Sequence, residues 1–119
     1  MLCRVAFALL LLWAAPAFAE CDEIGPVPVA ALIGRPYAGD AAPSQIRFIN
    51  VRVRRVRIVW IAFDGSEKTY ASLEPGQEMI QPTFVAHRWL IRDAQDDVPL
   101  EAFISTRRDD GVAQIALIR

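Results

Sequence analysis

The sequence predicts an all-β protein, a small antiparallel β-sandwich of about seven strands that follows a cleaved signal peptide. Three observations carry that reading. Residues 1–19 are laid out as an export signal, apolar and polar residues alternate with period two from Gln45 onward, and Gly, Pro and Asp pairs divide the strand-forming runs at short intervals.

The first segment, MLCRVAFALLLLWAAPAFA, has one basic residue, Arg4, then an apolar run from Val5 to Ala15, then Pro16 and Ala17-Phe18-Ala19. A charged start, an apolar middle and an A-x-A end describe a secretory signal. The apolar stretch falls short of the roughly 20 residues that span a bilayer, and Pro16 interrupts a helix near its end. Lipidation at Cys21 is disfavoured because Glu20 precedes it. Cleavage after Ala19 is therefore expected, giving a secreted or periplasmic protein with no stable membrane span. Cys3 leaves with the signal, and Cys21 then has no partner within its own chain, so an internal disulfide is excluded. Packing alone must hold such a chain.

Residues 20–42 form a Pro/Gly-rich lead-in to a β-domain at 43–119. Pro26, Pro28 and Pro36, with Pro43 at the junction, remove backbone donors and exclude a central strand there. Val27 to Ile33 can form one short helical turn.

Ile46, Phe48 and Asn50 alternate with Arg47, Ile49 and Val51. Val56, Ile58, Trp60 and Ala62 then share one face, opposite Arg57, Val59, Ile61 and Phe63, so the second strand is buried on both faces at its centre. Asp64-Gly65 ends it. Strands are expected at Lys68–Ala71, Glu78–Gln81, Arg88–Arg92, Leu100–Ser105 and Val112–Ile118. Glu74-Pro75-Gly76, Thr83–Ala86, Asp93–Pro99 and Asp109-Asp110-Gly111 divide them.

With 54% hydrophobic and 23% charged residues, the 119-residue chain is one folded domain and not a disordered one. A formal net charge of −1 gives no field for gripping polyanions, so no nucleic-acid partner is expected. His87 is the only histidine. A metal site needs several converging ligands and a hydrolytic triad needs an oriented base beside a nucleophile, so neither metal, cofactor nor catalytic residue is assigned, and the chain is not expected to be an enzyme. Asp96-Asp97 and Asp109-Asp110 read as solvated turn residues. The run Arg52-Val53-Arg54-Arg55-Val56-Arg57 reads as charged gatekeepers beside a hydrophobic strand, with a site for an acidic ligand as the alternative.

Trp60, Tyr70, Thr83, His87 and Trp89 form the candidate ligand-binding group. His87 and Trp89 are two apart, so on a strand they face one side. Aromatic residues are by default core, but histidine and hydroxyl groups beside them need partners when buried. A concave patch of aromatic walls with one or two polar groups is what a small-ligand pocket requires. Core aromatics of a structural or protein-interaction sandwich are the alternative.

The stretch from Ala42-Pro43-Ser44-Gln45 through Trp60-Ile-Ala-Phe-Asp-Gly65, then Tyr70-Ala-Ser-Leu73, Pro75-Gly76 and His87-Arg-Trp-Leu-Ile-Arg-Asp-Ala94, resembles the β-domain of the von Hippel-Lindau tumour-suppressor family. The resemblance runs without a gap from about residue 43 to 94 and loosely to residue 118. It implies a sandwich that binds a hydroxylated proline in an extended peptide, and it implies that Trp60, Tyr70, Thr83, His87 and Trp89 match the hydroxyproline pocket. The partner expected is a proline- or hydroxyproline-containing peptide or protein. Thr83 stands where the family has serine, Ala71 where it has proline, Pro82 where it has histidine, and Val85-Ala86 in place of an Arg-Gly turn. Gly39 and Ala41 fall where the family places polar side chains on the peptide. With the chain ending at Arg119, without the family's helical domain, no ubiquitin-ligase partners are expected.

Overall fold

The structure is a computed structural model that describes residues 22–119. The expected signal segment and Cys21 lie outside the described residues.

Among the described residues, seven strands form two sheets: β1 (Pro43–Asn50), β2 (Val56–Ile61), β3 (Glu67–Leu73), β4 (Glu78–Phe84), β5 (Arg88–Asp93), β6 (Pro99–Ile104) and β7 (Gln114–Ile118). One sheet runs β4-β1-β7 and the other β3-β2-β5-β6. The expected sandwich is present, with one difference in direction. All ladders are antiparallel except β1 with β7, which is parallel.

Alternation along each strand builds the core between the sheets. Ile46 and Phe48 of β1 face Val56 and Ile58 of β2, Trp89 and Ile91 of β5, Phe103 of β6, and Ala116 and Ile118 of β7. Asn50, at the end of the same β1 face, is fully buried and donates to the Arg54 and Leu73 carbonyls, so its amide is not left unpaired.

The double-sided burial expected of β2 has a specific cause. Val59, Ile61, Leu90 and Ala102 point out of the four-stranded sheet, and the lead-in covers them with Leu32, Val27, Val29 and Tyr37. Its prolines keep it from forming a ladder, so it touches the sheets through single bridges, Glu23 to Ile115 and Val27 to Ala102. The expected helical turn is a 3-10 turn at Val29–Ala31.

Two boundary expectations need correction. β4 continues through Pro82 and Thr83 to Phe84, where a turn was expected from Thr83. It can do so because β4 is an edge strand. Gln77 accepts from Asn50 N–H and Val85 donates to the Ala42 carbonyl, so odd-numbered residues of β4 face β1 and Pro82 faces outward. A missing N–H costs little there. β7 begins at Gln114 rather than Val112, because the Asp109 and Asp110 carboxylates accept from Gly111 and Val112 N–H and hold those residues in a turn.

The arginine run also differs from a sheet-edge gatekeeper. It lies in the β1–β2 connection and on β2, which is central. Arg54 pairs with Asp93 at 3.5 Å, Arg55 with Glu74 at 3.7 Å, and Arg57 with Asp97. These partners meet the positive charge of three of the run's four arginines, and Arg52 donates to the Arg119 carbonyl at 2.7 Å. Among the described residues, no helix is long and apolar enough to cross a membrane.

Candidate functional site

The five candidate residues come from four strands and one turn, and the structure brings them together at one end of the sandwich. Trp60 on β2 and Trp89 on β5 are direct cross-strand partners, so both indoles lie on the inner face of the four-stranded sheet. On β3 the register slips: Thr69 pairs with Val59 and Ala71 with Ile58, which leaves Tyr70 as the extra residue of a bulge. A bulge re-aims a side chain. Here the Tyr70 ring meets Trp89 edge-on at 5.1 Å and Trp60 at 6.3 Å. Tyr70 remains 44% exposed, whereas Trp89 is 2% exposed.

Thr83 approaches from the opposite sheet. Its Oγ1 accepts from Trp89 Nε1 at 3.1 Å, a buried bond. The threonine hydroxyl keeps its own proton to donate. The turn after β4 then places His87. His87 N–H donates to the Phe84 carbonyl, Ala86 N–H to the Ser105 carbonyl, and Ser105 N–H back to the His87 carbonyl. Ala86 takes φ 69, the left-handed conformation that glycine adopts more readily. The turn thus runs through a positive φ at an alanine. It lays the imidazole on Trp60, stacked at 5.6 Å with 24° between the planes.

His87 is 8% exposed, and burial holds its imidazole below the ordinary histidine range. A neutral ring has one donor and one acceptor nitrogen. No side-chain hydrogen bond engages either nitrogen among the described residues. The Trp60 indole N–H is likewise buried without a partner among the described residues. It sits near enough to the Tyr37 oxygen to oppose the rise that burial gives that phenol, but outside hydrogen-bonding geometry.

Three rings outside the five-residue group complete this end of the molecule. Phe63 meets His87 at 5.1 Å and Trp60 at 5.7 Å, Phe84 meets His87 at 5.2 Å, and Tyr37 meets Phe63 at 5.3 Å. They border an open cleft of about 650 Å³, which shares His87 with the five-residue group. Phe63 stands three residues after Trp60 and just before Asp64-Gly65, a spacing that returns it to the same end of β2. That was the available signal. Phe84 falls within the turn that the sequence predicts at Thr83–Ala86, and Tyr37 lies in the proline-rich lead-in. Among the described residues, no group of three or more His, Cys, Asp or Glu side chains could hold a metal ion.

The arrangement is a wall of indole and phenol rings with one hydroxyl and one neutral imidazole at its edge. Chemically it can bind a ring and hydrogen-bond a small polar group on it. A protein-family model described as VHL beta domain matches residues 39–106. That span includes all five candidate residues and more than half of the chain, from the cleft-lining Gly39 to the end of β6 and beyond. The chain belongs to the VHL β-domain family, whose β-domain is a non-catalytic protein-interaction module.

Proposed function

We propose that this chain is an exported, non-catalytic receptor for an extended peptide, and that it takes a proline ring, preferably hydroxylated, against Trp60, Tyr70 and Trp89. The observation that carries the reading is the convergence of those rings with Thr83 and His87 across two sheets, while Tyr70 stays 44% exposed. A pyrrolidine ring is apolar with slightly positive C–H edges, which suit the electron-rich faces of Trp and Tyr. A ring hydroxyl donates and accepts at once. The Thr83 hydroxyl offers a proton and the neutral His87 ring offers a lone pair, so both directions can be met.

An extended peptide also needs backbone partners. The outward groups of edge strand β4 lie beside Thr83, interrupted at Pro82, whose carbonyl accepts from Gln81 Nε2 at 2.8 Å. Proline in the ligand preorders its backbone and lowers the entropy cost of docking.

Titration calorimetry with hydroxyprolyl and prolyl versions of one peptide tests the reading. Plain proline leaves a buried polar group unpaired, worth about 1–3 kcal/mol, or roughly 5- to 150-fold in affinity. Tyr70→Ala should remove binding with an unchanged circular dichroism spectrum. Equal affinities for the two peptides, or none for either, overturn it.

A second reading, a protein-interaction sandwich whose aromatics serve only as core, is favoured by the near-complete burial of Trp89 and Thr83. It predicts that Tyr70→Ala leaves partner binding intact. Export is tested by the mass of the purified native protein, expected to begin at Glu20. A cytosolic protein that keeps residues 1–19 refutes it.

A further inference from the structure

The cleft beside His87 is separate from the five-residue group in all but that one side chain. Phe63 and Phe84 are large rings left 46% and 43% exposed. Tyr37 forms a third wall but already carries the Arg88 guanidinium at 4.3 Å from its centroid, so Phe63 and Phe84 supply the open faces. Gly39 on the cleft floor is without a side chain for a packing reason. A Cβ there would lie 2.3 Å from Phe63 Cε1 and 3.3 Å from His87 Nε2.

Among the described residues, Asp40 is the one charged side chain lining the cleft. Its Oδ1 accepts from Ala42 N–H at 2.7 Å, which fixes the carboxylate in place. Its other oxygen has no hydrogen bond among the described residues. His87, held neutral by burial, adds no opposing positive charge.

We propose that this cleft binds the basic side chain, arginine or lysine, of a residue two positions from the docked proline. The peptide context rests on the function proposed above; the chemistry of the cleft does not. A cation over aromatic faces with its alkyl stem on the rings and its head at a carboxylate matches every element of the lining. A purely apolar guest would strip water from the Asp40 carboxylate without replacing it. An acidic guest would meet like charge.

Spacing sets the position in the peptide. The imidazole lies 5.6 Å from Trp60 and 5.2 Å from Phe84, so one ring separates the two subsites. Same-face side chains of an extended peptide repeat about every 6.6 Å. The residue two positions from the proline therefore reaches the cleft.

The test uses the full mature chain and a small probe, acetyl-arginine amide, titrated while the Phe63, Phe84 and His87 ring resonances are followed by NMR. Saturable shifts are expected, weaker by about fivefold or more for acetyl-norleucine amide and absent for acetyl-glutamate amide. Asp40→Asn keeps an oxygen for the Ala42 N–H and should weaken the arginine probe by about fivefold. Phe84→Ala, at an exposed strand end, should do the same and serves if Asp40→Asn perturbs the fold. Tyr70→Ala should leave the probe's binding unchanged while removing the prolyl peptide, which separates failure of this site from failure of the peptide reading. No saturable shift with acetyl-arginine amide, equal shifts with acetyl-norleucine amide, or indifference to both cleft substitutions overturns the proposal.

Discussion

Trp89 donates its indole N–H to the Thr83 hydroxyl at 3.1 Å, across the two sheets and out of contact with water. This bond ties edge strand β4 to central strand β5 and fixes the threonine oxygen beside the aromatic wall. Thr83→Val removes the acceptor and leaves a buried indole N–H unpaired, at a cost of about 1–3 kcal/mol. Thr83→Ser keeps the bond and loses one methyl, about 1 kcal/mol. Urea unfolding should show the valine variant with a lower midpoint and an unchanged slope, and the serine variant between it and the parent. A valine variant as stable as the parent would mean that this bond contributes nothing.

Ala86 holds φ 69 in the turn that delivers His87 to Trp60. For an L-residue with a Cβ the left-handed region costs about 1–2 kcal/mol, which glycine avoids while giving up some unfolded-state entropy. Ala86→Gly should therefore raise stability by roughly 1 kcal/mol and leave the His87 environment unchanged. Thermal unfolding checks the first and the imidazole NMR shifts check the second. A less stable glycine variant would show that the turn is not strained.

The legible parts of this fold are those that one-sided burial forces into a pattern. Ile46, Phe48 and Asn50 announced the inner face of β1, and all three are fully buried. The unbroken apolar run around Val59 announced a strand covered on both faces. Strand direction left no such trace, because the alternation of β7 reads the same whether it runs parallel or antiparallel to β1. Pro82 read as a breaker, since only its outward place on an edge strand excuses it. The five candidate residues were legible through spaced motifs that resemble a known family. The bulge that aims Tyr70 was not, because a bulge is a mismatch between two strands and neither strand shows it alone. The cleft leaves no pattern in the sequence, because Tyr37, Phe63 and Phe84 come from three separate segments.

Two glycines should respond differently to the same added methyl. At Gly39 a Cβ meets the far edge of the Phe63 ring, and that ring is 46% exposed and can swing outward. At Gly65, φ is +89 and a Cβ would lie 2.7 Å from the Gly34 carbonyl carbon, where the lead-in backbone cannot yield without leaving the sheet. Gly39→Ala should cost about 1 kcal/mol, and Gly65→Ala about 2–4 kcal/mol from strain and overpacking together. Denaturant midpoints measure both. The reverse order would place the rigid contact at Phe63 instead of along the lead-in.

His87 gives the fold a pH dependence of definite sign. Burial holds its folded-state pKa below the ordinary value, so as pH falls through about 6.5 the unfolded chain takes up the proton first. Stability contributed by the neutral ring is complete above that point. It declines with acidification and levels off once pH passes the folded-state pKa. Other groups act at lower pH. Asp64, Glu67 and Asp93 are pulled down, chiefly by hydrogen bonds from Ser66, the Arg92 side chain and the Gln95 N–H, so stability tied to them is lost further into acid. Glu101, pushed up by burial, acts in the opposite sense and gains from protonation. His87→Gln cannot titrate but retains the carboxylates, so comparing it with the parent isolates the imidazole. Between about pH 7.5 and 5.5 the parent should lose more stability than His87→Gln. Parallel losses in the two proteins would show that the imidazole is not held neutral against Trp60.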